Sequence, residues 1–151
     1  MKFRPILFII PLIFILTISL FGQDYGFGAG IILGDPTGIS LKYWSSPTNA
    51  WDAGIAWGIG KDDAFHLHSD YIWHKYGLIR VEKGRLPLYY GVGGRLLFTA
   101  KTHFGIRGVI GLDYLFAGIP LDIFLEIAPV FDLVPATEFD FTGGLGARYF
   151  F

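Results

Sequence analysis

Hydrophobic and polar residues alternate one by one along much of this chain, most clearly near its carboxyl end. From Leu121 to Phe131 the odd-numbered positions are apolar, whereas Asp122 and Glu126 lie between them. Residues 139–151 alternate in the same way and end on an aromatic side chain. Because successive side chains of a β-strand point to opposite faces, both segments predict strands with one apolar face and one charge-bearing face.

Turn residues divide the rest of the chain into similar segments. Clusters of Gly, Pro, Ser, Asn and Asp interrupt the alternation at short intervals, as expected between β-strands. A strand of ten residues tilted by about 40° covers roughly 25 Å, the height of the apolar band of a transmembrane barrel. The eight predicted strands are Asp24–Gly34, Ile39–Trp44, Ala50–Ile59, Ala64–His74, Leu86–Phe98, Phe104–Phe116, Leu121–Leu133 and Phe139–Phe151.

The positions of the aromatic residues favour a membrane barrel over a water-soluble one, which would also alternate. In an antiparallel arrangement the rings fall into two belts separated by aliphatic side chains, and such rings favour the interface between headgroups and hydrocarbon. One predicted belt holds Tyr25, Phe27, Tyr43, Trp51, Tyr71, Trp73, Tyr90, Tyr114, Phe116, Tyr149 and Phe151; the other holds Trp57, Phe65, Phe98, Phe104, Phe131, Phe139 and Phe141. The predicted fold is all-β: a closed eight-stranded antiparallel up-and-down transmembrane β-barrel. A secreted lipocalin-like barrel that binds an apolar ligand is the less favoured alternative.

The amino-terminal segment has the pattern of a secretory signal peptide. Lys2 and Arg4 precede an apolar run that extends from Ile6 to Leu20. This run is shorter than the roughly twenty residues that a membrane-spanning helix needs, so a permanent anchor is the less favoured interpretation. We predict a cleaved signal peptide at residues 1–22 and a transmembrane β-barrel at residues 23–151.

Composition and charge exclude several classes of function. The chain contains no cysteine, which excludes a disulfide framework, a thiolate metal site and a lipoprotein anchor. Its formal net charge is −1, and no basic cluster suggests a nucleic-acid partner.

The charged residues of the predicted strands share the face opposite the aromatic belts, which predicts a polar network inside the barrel. Buried charges must pair and form hydrogen bonds, because isolated ones are too costly. We expect Arg95 and Arg107 to extend across the lumen towards a low, glycine-rich wall and to meet carboxylates such as Glu126, Asp113 and Asp122. The wall consists of Gly26, Gly28, Gly30, Gly54, Gly58, Gly144 and Gly146. The predicted network is Lys42, Asp52, His66, His68, Asp70, Arg95, Arg107, Asp113, Asp122, Glu126, Asp140 and Arg148. A narrow water or ion path along the glycine wall is the alternative.

Three histidines on or near the same predicted strand raise the question of a metal site. His66 and His68 share a face, but residues two apart on a strand are about 6.6 Å apart along it. A compact tetrahedral site needs its ligands about 2.0 to 2.2 Å from one ion. We therefore predict interior hydrogen bonding for these two residues and His74, with no metal and no cofactor.

A lipid-modifying enzyme is the main alternative function. Such an enzyme needs a nucleophile within hydrogen-bond reach of its base. Ser69 is predicted to face lipid while His66 and His68 face inward, and no motif supports Ser40 as a nucleophile. The sequence therefore predicts no catalytic residue.

The last residues carry a resemblance to a known class. The ending Gly146-Ala-Arg-Tyr149-Phe-Phe151 is similar to the carboxy-terminal signal by which the outer-membrane assembly machinery recognises its substrates. Together with the strand pattern, the chain resembles a small eight-stranded outer-membrane barrel of the OmpA/OmpX type. This resemblance implies a monomer in the outer membrane of a Gram-negative-type bacterium, with a structural or minor permeability role. It implies lipid, periplasmic chaperones and the assembly machinery as partners.

A second resemblance covers two internal stretches, Val81–Gly94 and Pro120–Pro129. Both are similar to segments of a family of uncharacterised bacterial outer-membrane proteins, which implies no particular activity. The connections predicted outside the cell are short, and the longest one, Lys75–Arg85, is predicted on the periplasmic side. This arrangement does not favour an adhesion or receptor role.

Overall fold

The alternating segments form eight antiparallel strands that close into a barrel in the computed structural model of this protein, which describes residues 26–35, 37–57 and 64–151. Each strand pairs with the next, and the last pairs with the first. The strands are β1 (Gly26–Asp35), β2 (Gly38–Trp44), β3 (Asn49–Trp57), β4 (Phe65–Lys75), β5 (Leu88–Phe98), β6 (Thr102–Leu115), β7 (Leu121–Val134) and β8 (Glu138–Phe150). The predicted fold class is confirmed, and the strand ends predicted within the described residues agree with the observed ones to within two residues.

Some predictions fall outside the described residues. These are the signal peptide at residues 1–22, the predicted strand ends Asp24 and Ile59, the belt residue Tyr25 and the wall residue Gly58. Within the described ranges the chain contains no helix with the length and hydrophobicity that a membrane crossing requires.

The register brings the outward-facing rings together at the two ends of the barrel. Trp51 lies opposite both Tyr43 and Tyr71, and Trp73 stacks on Tyr90 with 5.9 Å between ring centroids. At the other end the cross-strand pairs are Trp57 with Phe65, Phe65 with Phe98 and Phe131 with Phe139. Aliphatic side chains such as those of Val92, Leu125 and Ile127 are exposed between these levels. The outer wall is therefore apolar and banded by rings, as the sequence predicts.

The two ends of the barrel differ in their connections. We call the end that carries Gly26 and Phe151 the terminal end; it also carries connections 45–48, 76–87 and 116–120. The opposite end carries the described connections 99–101 and 135–137. The longest connection, residues 76–87, therefore lies at the terminal end.

Candidate functional site

The barrel interior is the candidate site, and its side chains fill the lumen in layers. Apolar side chains cluster in the half of the lumen towards the terminal end, and the sequence analysis did not identify this cluster, which we call the apolar layer. Phe124 and Ile72 lie one interior position further from that end than Asp122 and His74. Most members of the layer follow an interior polar residue by two positions, as Trp44 follows Lys42 and Phe150 follows Arg148, so strict alternation would have found them. The main members of this apolar layer, each at most 4% exposed, are Trp44, Ile72, Tyr89, Leu115, Phe124 and Phe150.

An ion-pair layer centred on Arg148 lies against the apolar layer. Its guanidinium is 2.8 Å from Asp122 Oδ2 and 3.3 Å from Asp52 Oδ2, and it lies 4.0 Å from the centroid of the Phe124 ring. Cations on aromatic faces and paired with carboxylates are stabilised by both interactions. Arg148 therefore links the apolar layer to the carboxylates.

Lys42 forms the other half of this layer. Its Nζ donates to Asp113 Oδ2 over 2.6 Å, lies 2.8 Å from His74 Nε2 and is 4.2 Å from the Trp44 ring centroid. The side chains of Lys42, Asp113 and His74 are fully buried. Because the Asp113 carboxylate is also 3.8 Å from Arg148, the two cations share their acidic partners.

A further layer surrounds Arg107. Its guanidinium is 3.0 Å from Asp70 Oδ1 and 3.5 Å from Glu126 Oε1. The Tyr89 hydroxyl donates to the other Glu126 oxygen over 2.6 Å. Tyr89 thus connects the apolar layer to the carboxylate that Arg107 holds.

The last layer lies towards the opposite end and reaches solvent. Arg95 donates to both oxygens of Asp132, over 3.1 and 2.7 Å, and to Asp140 over 3.3 Å. The Asp140 side chain is 54% exposed. The lumen is therefore open to water at this layer and closed at the layers nearer the terminal end.

The partners of the two central arginines differ in part from those expected. Arg107 meets Glu126 as expected, but Arg95 pairs with Asp132 and Asp140 rather than with Asp113 or Asp122. The reason is register, because Gly105 lies directly between Arg95 and Asp132 on the neighbouring strands.

Long inward side chains lie across glycines on neighbouring strands. Gly93 separates Arg107 from Asp70, and Gly111 separates Tyr89 from Glu126. The glycine-rich wall expected at strands β1, β3 and β8 therefore continues through β5 and β6. For this reason the arginines find space next to their own strands and do not extend across the lumen. The pairs of long side chain and underlying glycine are Arg95 with Gly105, Arg107 with Gly93, Tyr89 with Gly111, His68 with Gly54, Phe124 with Gly146 and Phe150 with Gly28.

Filling one of these glycine positions should destabilise the barrel. A Cβ at position 146 would meet the Phe124 ring and the Ile31 carbonyl oxygen, whereas at outward-facing Gly94 the nearest atom is 3.6 Å away. We expect Gly146→Ala to lower the free energy of unfolding by about 1–3 kcal/mol, as overpacking typically does. Urea titration of the refolded variants measures this difference, with Gly94→Ala as the matched control. Equal stabilities of the two variants would contradict the packing described here.

The three histidines considered as metal ligands do not lie together in the lumen. The rings of His66 and His68 are 5.4 Å apart and nearly perpendicular, whereas His74 lies beside Lys42 and contacts the Thr48 carbonyl oxygen over 2.9 Å. In the described part of the chain, no group of three or more His, Cys, Asp or Glu residues is placed to hold a metal ion.

The two serines considered as nucleophiles lie on opposite faces of the barrel wall. Ser69 faces outward, while its strand neighbours His66 and His68 are buried in the lumen. Ser40 is buried on the inner face, and the His68 ring lies over Gly54, the residue between them on β3.

The carboxy-terminal residues of the predicted assembly signal lie on both faces of β8 and just beyond it. Gly146 lies under the Phe124 ring, whereas Tyr149 contacts Phe151 with 5.4 Å between ring centroids. The backbone N–H of Phe151 donates to the Phe27 carbonyl oxygen over 2.8 Å. The end of the chain is therefore part of the β1–β8 closure, and its recognition by the assembly machinery stays a prediction.

Comparison with known proteins identifies the fold but no close relative. No family model matches the chain, and no curated protein matches it, so the resemblance to an uncharacterised family stays a prediction. Among solved structures, the crystal structure of the N-terminal β-barrel domain of Pseudomonas aeruginosa OprF matches with a TM-score of 0.56 and 15% identity. The match covers 87% of this chain and 100% of that one. The chain therefore shares the closed eight-stranded antiparallel β-barrel fold of that domain.

Proposed function

We propose that this protein is a monomeric barrel in the outer membrane of a Gram-negative-type bacterium, with a structural role in the envelope. The observation that carries the proposal is the division of side chains between an apolar, ring-banded outer wall and a packed polar lumen. Lipid solvates the apolar outer wall, and aromatic girdles of this kind lie at membrane interfaces. The similarity in fold to the OprF barrel supports the same location.

The packed interior favours a structural role over a permeability role. The side chains of Arg107, Arg148, Tyr89, Lys42 and Phe124 are among the largest that are less than 2% exposed. They belong to the apolar layer and to two successive ion-pair layers, so a solute would have to displace all three. An eight-stranded barrel is just wide enough for side chains to fill its interior.

Conductance across a planar lipid bilayer tests this proposal. We expect no defined conductance steps from the wild-type protein, nor from the Arg95→Ala or Arg107→Ala variants. In both variants the apolar layer, which lies between these arginines and the terminal end, still closes the lumen. Shortening Tyr89, Phe124 and Phe150 together to alanine should produce small steps. Stable steps in the wild-type protein would contradict a closed lumen and support a permeability role.

We propose lipid as the principal partner of the mature protein, and periplasmic chaperones and the assembly machinery as partners during biogenesis. The exposed apolar wall supports this, because a surface of this kind requires protection from water before insertion. The aromatic Phe151 at the carboxyl end, 39% exposed, is accessible to a receptor of such signals.

A further inference from the structure

The connection between β4 and β5, residues 76–87, is attached firmly to the terminal end of the barrel. The Tyr76 hydroxyl donates to the Pro47 carbonyl oxygen over 2.9 Å, and the Tyr114 hydroxyl donates to the Lys83 carbonyl oxygen over 2.8 Å. Arg85 and Leu115 exchange two backbone hydrogen bonds of 3.0 and 2.8 Å. We call residues 76–87 the β4–β5 loop; hydrogen bonds to the barrel hold both of its ends.

The tip of the β4–β5 loop exposes apolar side chains. Leu78 is 65% exposed, more than any other large hydrophobic side chain in the described residues, and Ile79 and Val81 are exposed beside it. Contiguous exposed apolar residues outside the barrel wall mark a site of interaction.

The same tip is cationic. Arg80 and Lys83 alternate with the apolar residues, Lys75 and Arg85 lie at the base, and Glu82 is the one acidic residue of the loop. The other two connections at this end, 45–48 and 116–120, contain no charged residue. Interleaved Lys or Arg and large aliphatic residues form the composition that binds an anionic lipid surface.

The loop contains a cavity that suits a headgroup. Its volume is about 360 Å³, and both Arg80 and Arg85 line it together with the aliphatic Ile79, Val81 and Leu86. Guanidinium groups are well suited to phosphate oxygens. The chemistry of this cavity therefore fits a phosphodiester attached to an apolar chain.

The loop is continuous with the aromatic belt of the terminal end. Lys75 at its base follows the belt residue Trp73 by two positions on β4, and both line a second cavity with Tyr90. Tyr114, whose hydroxyl holds the Lys83 carbonyl, belongs to the same belt. Because rings of this kind lie at the headgroup level, the loop begins at the surface of the bilayer.

We propose that the β4–β5 loop is a second lipid-binding element, which places Leu78 against acyl chains. Arg80, which lines the cavity, and Lys83, which adjoins its lining residue Gly84, hold the phosphates of anionic glycerophospholipids. This inference rests on the proposed membrane location of the barrel. Its partner is the leaflet at the terminal end, which the sequence analysis predicts to be the periplasmic leaflet.

A single fluorescent label tests the proposal, since the chain contains no cysteine. Leu78→Cys carries an environment-sensitive fluorophore, and the protein is reconstituted into nanodiscs whose lipids have brominated acyl chains. We expect quenching of the label to increase at least about twofold when phosphatidylglycerol replaces part of the phosphatidylcholine, because cations near an anionic surface favour binding.

Two matched variants isolate the role of the loop. The same label at Ser46→Cys, in the uncharged connection at the same end, should respond equally to both lipid mixtures. Combining Leu78→Cys with Arg80→Glu and Lys83→Glu should abolish the increase. Equal quenching at position 78 in both mixtures, or an increase that survives the charge reversal, would overturn the proposal.

The tryptophans of the outer wall separate failure of this inference from failure of the proposed function. Trp51 and Trp57 are about half exposed on the barrel surface, and brominated lipids should quench them whenever the barrel is embedded. Quenched tryptophans with an unresponsive label refute the loop proposal alone. Unquenched tryptophans refute the membrane location on which it rests.

Discussion

Replacing Arg148 by alanine is expected to lower the free energy of unfolding by about 3–5 kcal/mol, the usual cost of removing one partner of a buried ion pair. Arg148 is 2.8 Å from Asp122, 3.3 Å from Asp52 and 3.8 Å from Asp113. After its removal Lys42 still lies 2.6 Å from Asp113 and 3.9 Å from Asp122. The large effect comes from the buried charges that stay behind.

Urea unfolding of the refolded protein, followed by tryptophan fluorescence, measures this effect. Arg80→Ala removes an exposed arginine from the β4–β5 loop and should change stability by no more than about 0.5 kcal/mol. Arg148→Met combined with Asp122→Asn should recover part of the loss, because it removes a charge of each sign. A loss below about 1 kcal/mol for Arg148→Ala would be the size of an exposed pair and would show that the lumen is hydrated at this layer.

Replacing Leu125 by arginine is expected to destabilise the barrel in a bilayer by about 2–4 kcal/mol, the cost of a cation at the midplane of an outer-membrane barrel. Leu125 is 55% exposed on the outer wall of β7. It lies between the two belt levels, which Tyr149 marks beside Leu121 and Phe139 marks beside Phe131. A charge at position 125 would therefore lie in hydrocarbon.

Leu133→Arg is the matched control, because it changes the same residue type on the same strand. Leu133 is 41% exposed and lies beyond Phe131 at the rim, where an arginine should cost about 0–1 kcal/mol. Unfolding in phospholipid vesicles measures both variants. Two equally small costs would mean that the outer wall faces water, and would favour the lipocalin-like alternative.

These two substitutions test opposite faces of one wall. Arg148→Ala tests whether the inward face is dry enough for charges to depend on each other, and Leu125→Arg tests whether the outward face meets lipid. A water-soluble barrel could pass the first test but not the second. A membrane barrel with a wide aqueous lumen would pass the second but not the first.

The sequence by itself determined the strands, their two faces and the aromatic belts. These features depend on a period of two and on turn residues, both of which are local. The alternation that opposes Leu125 to Glu126 is visible without any knowledge of neighbouring strands. For the same reason the ends of the strands agreed closely with those of the structure.

Only the tertiary structure decided which interior groups meet. The separation of Arg95 from Asp113 and its pairing with Asp132 depend on register across three strands, which alternation leaves open. Charge identified the polar interior residues, but it gave no signal for large apolar side chains such as Phe124 on the same face. Glycines such as Gly105 acquire their role only when closure places a long side chain across them. Local pattern therefore determines which face a residue occupies, and strand register determines its partner.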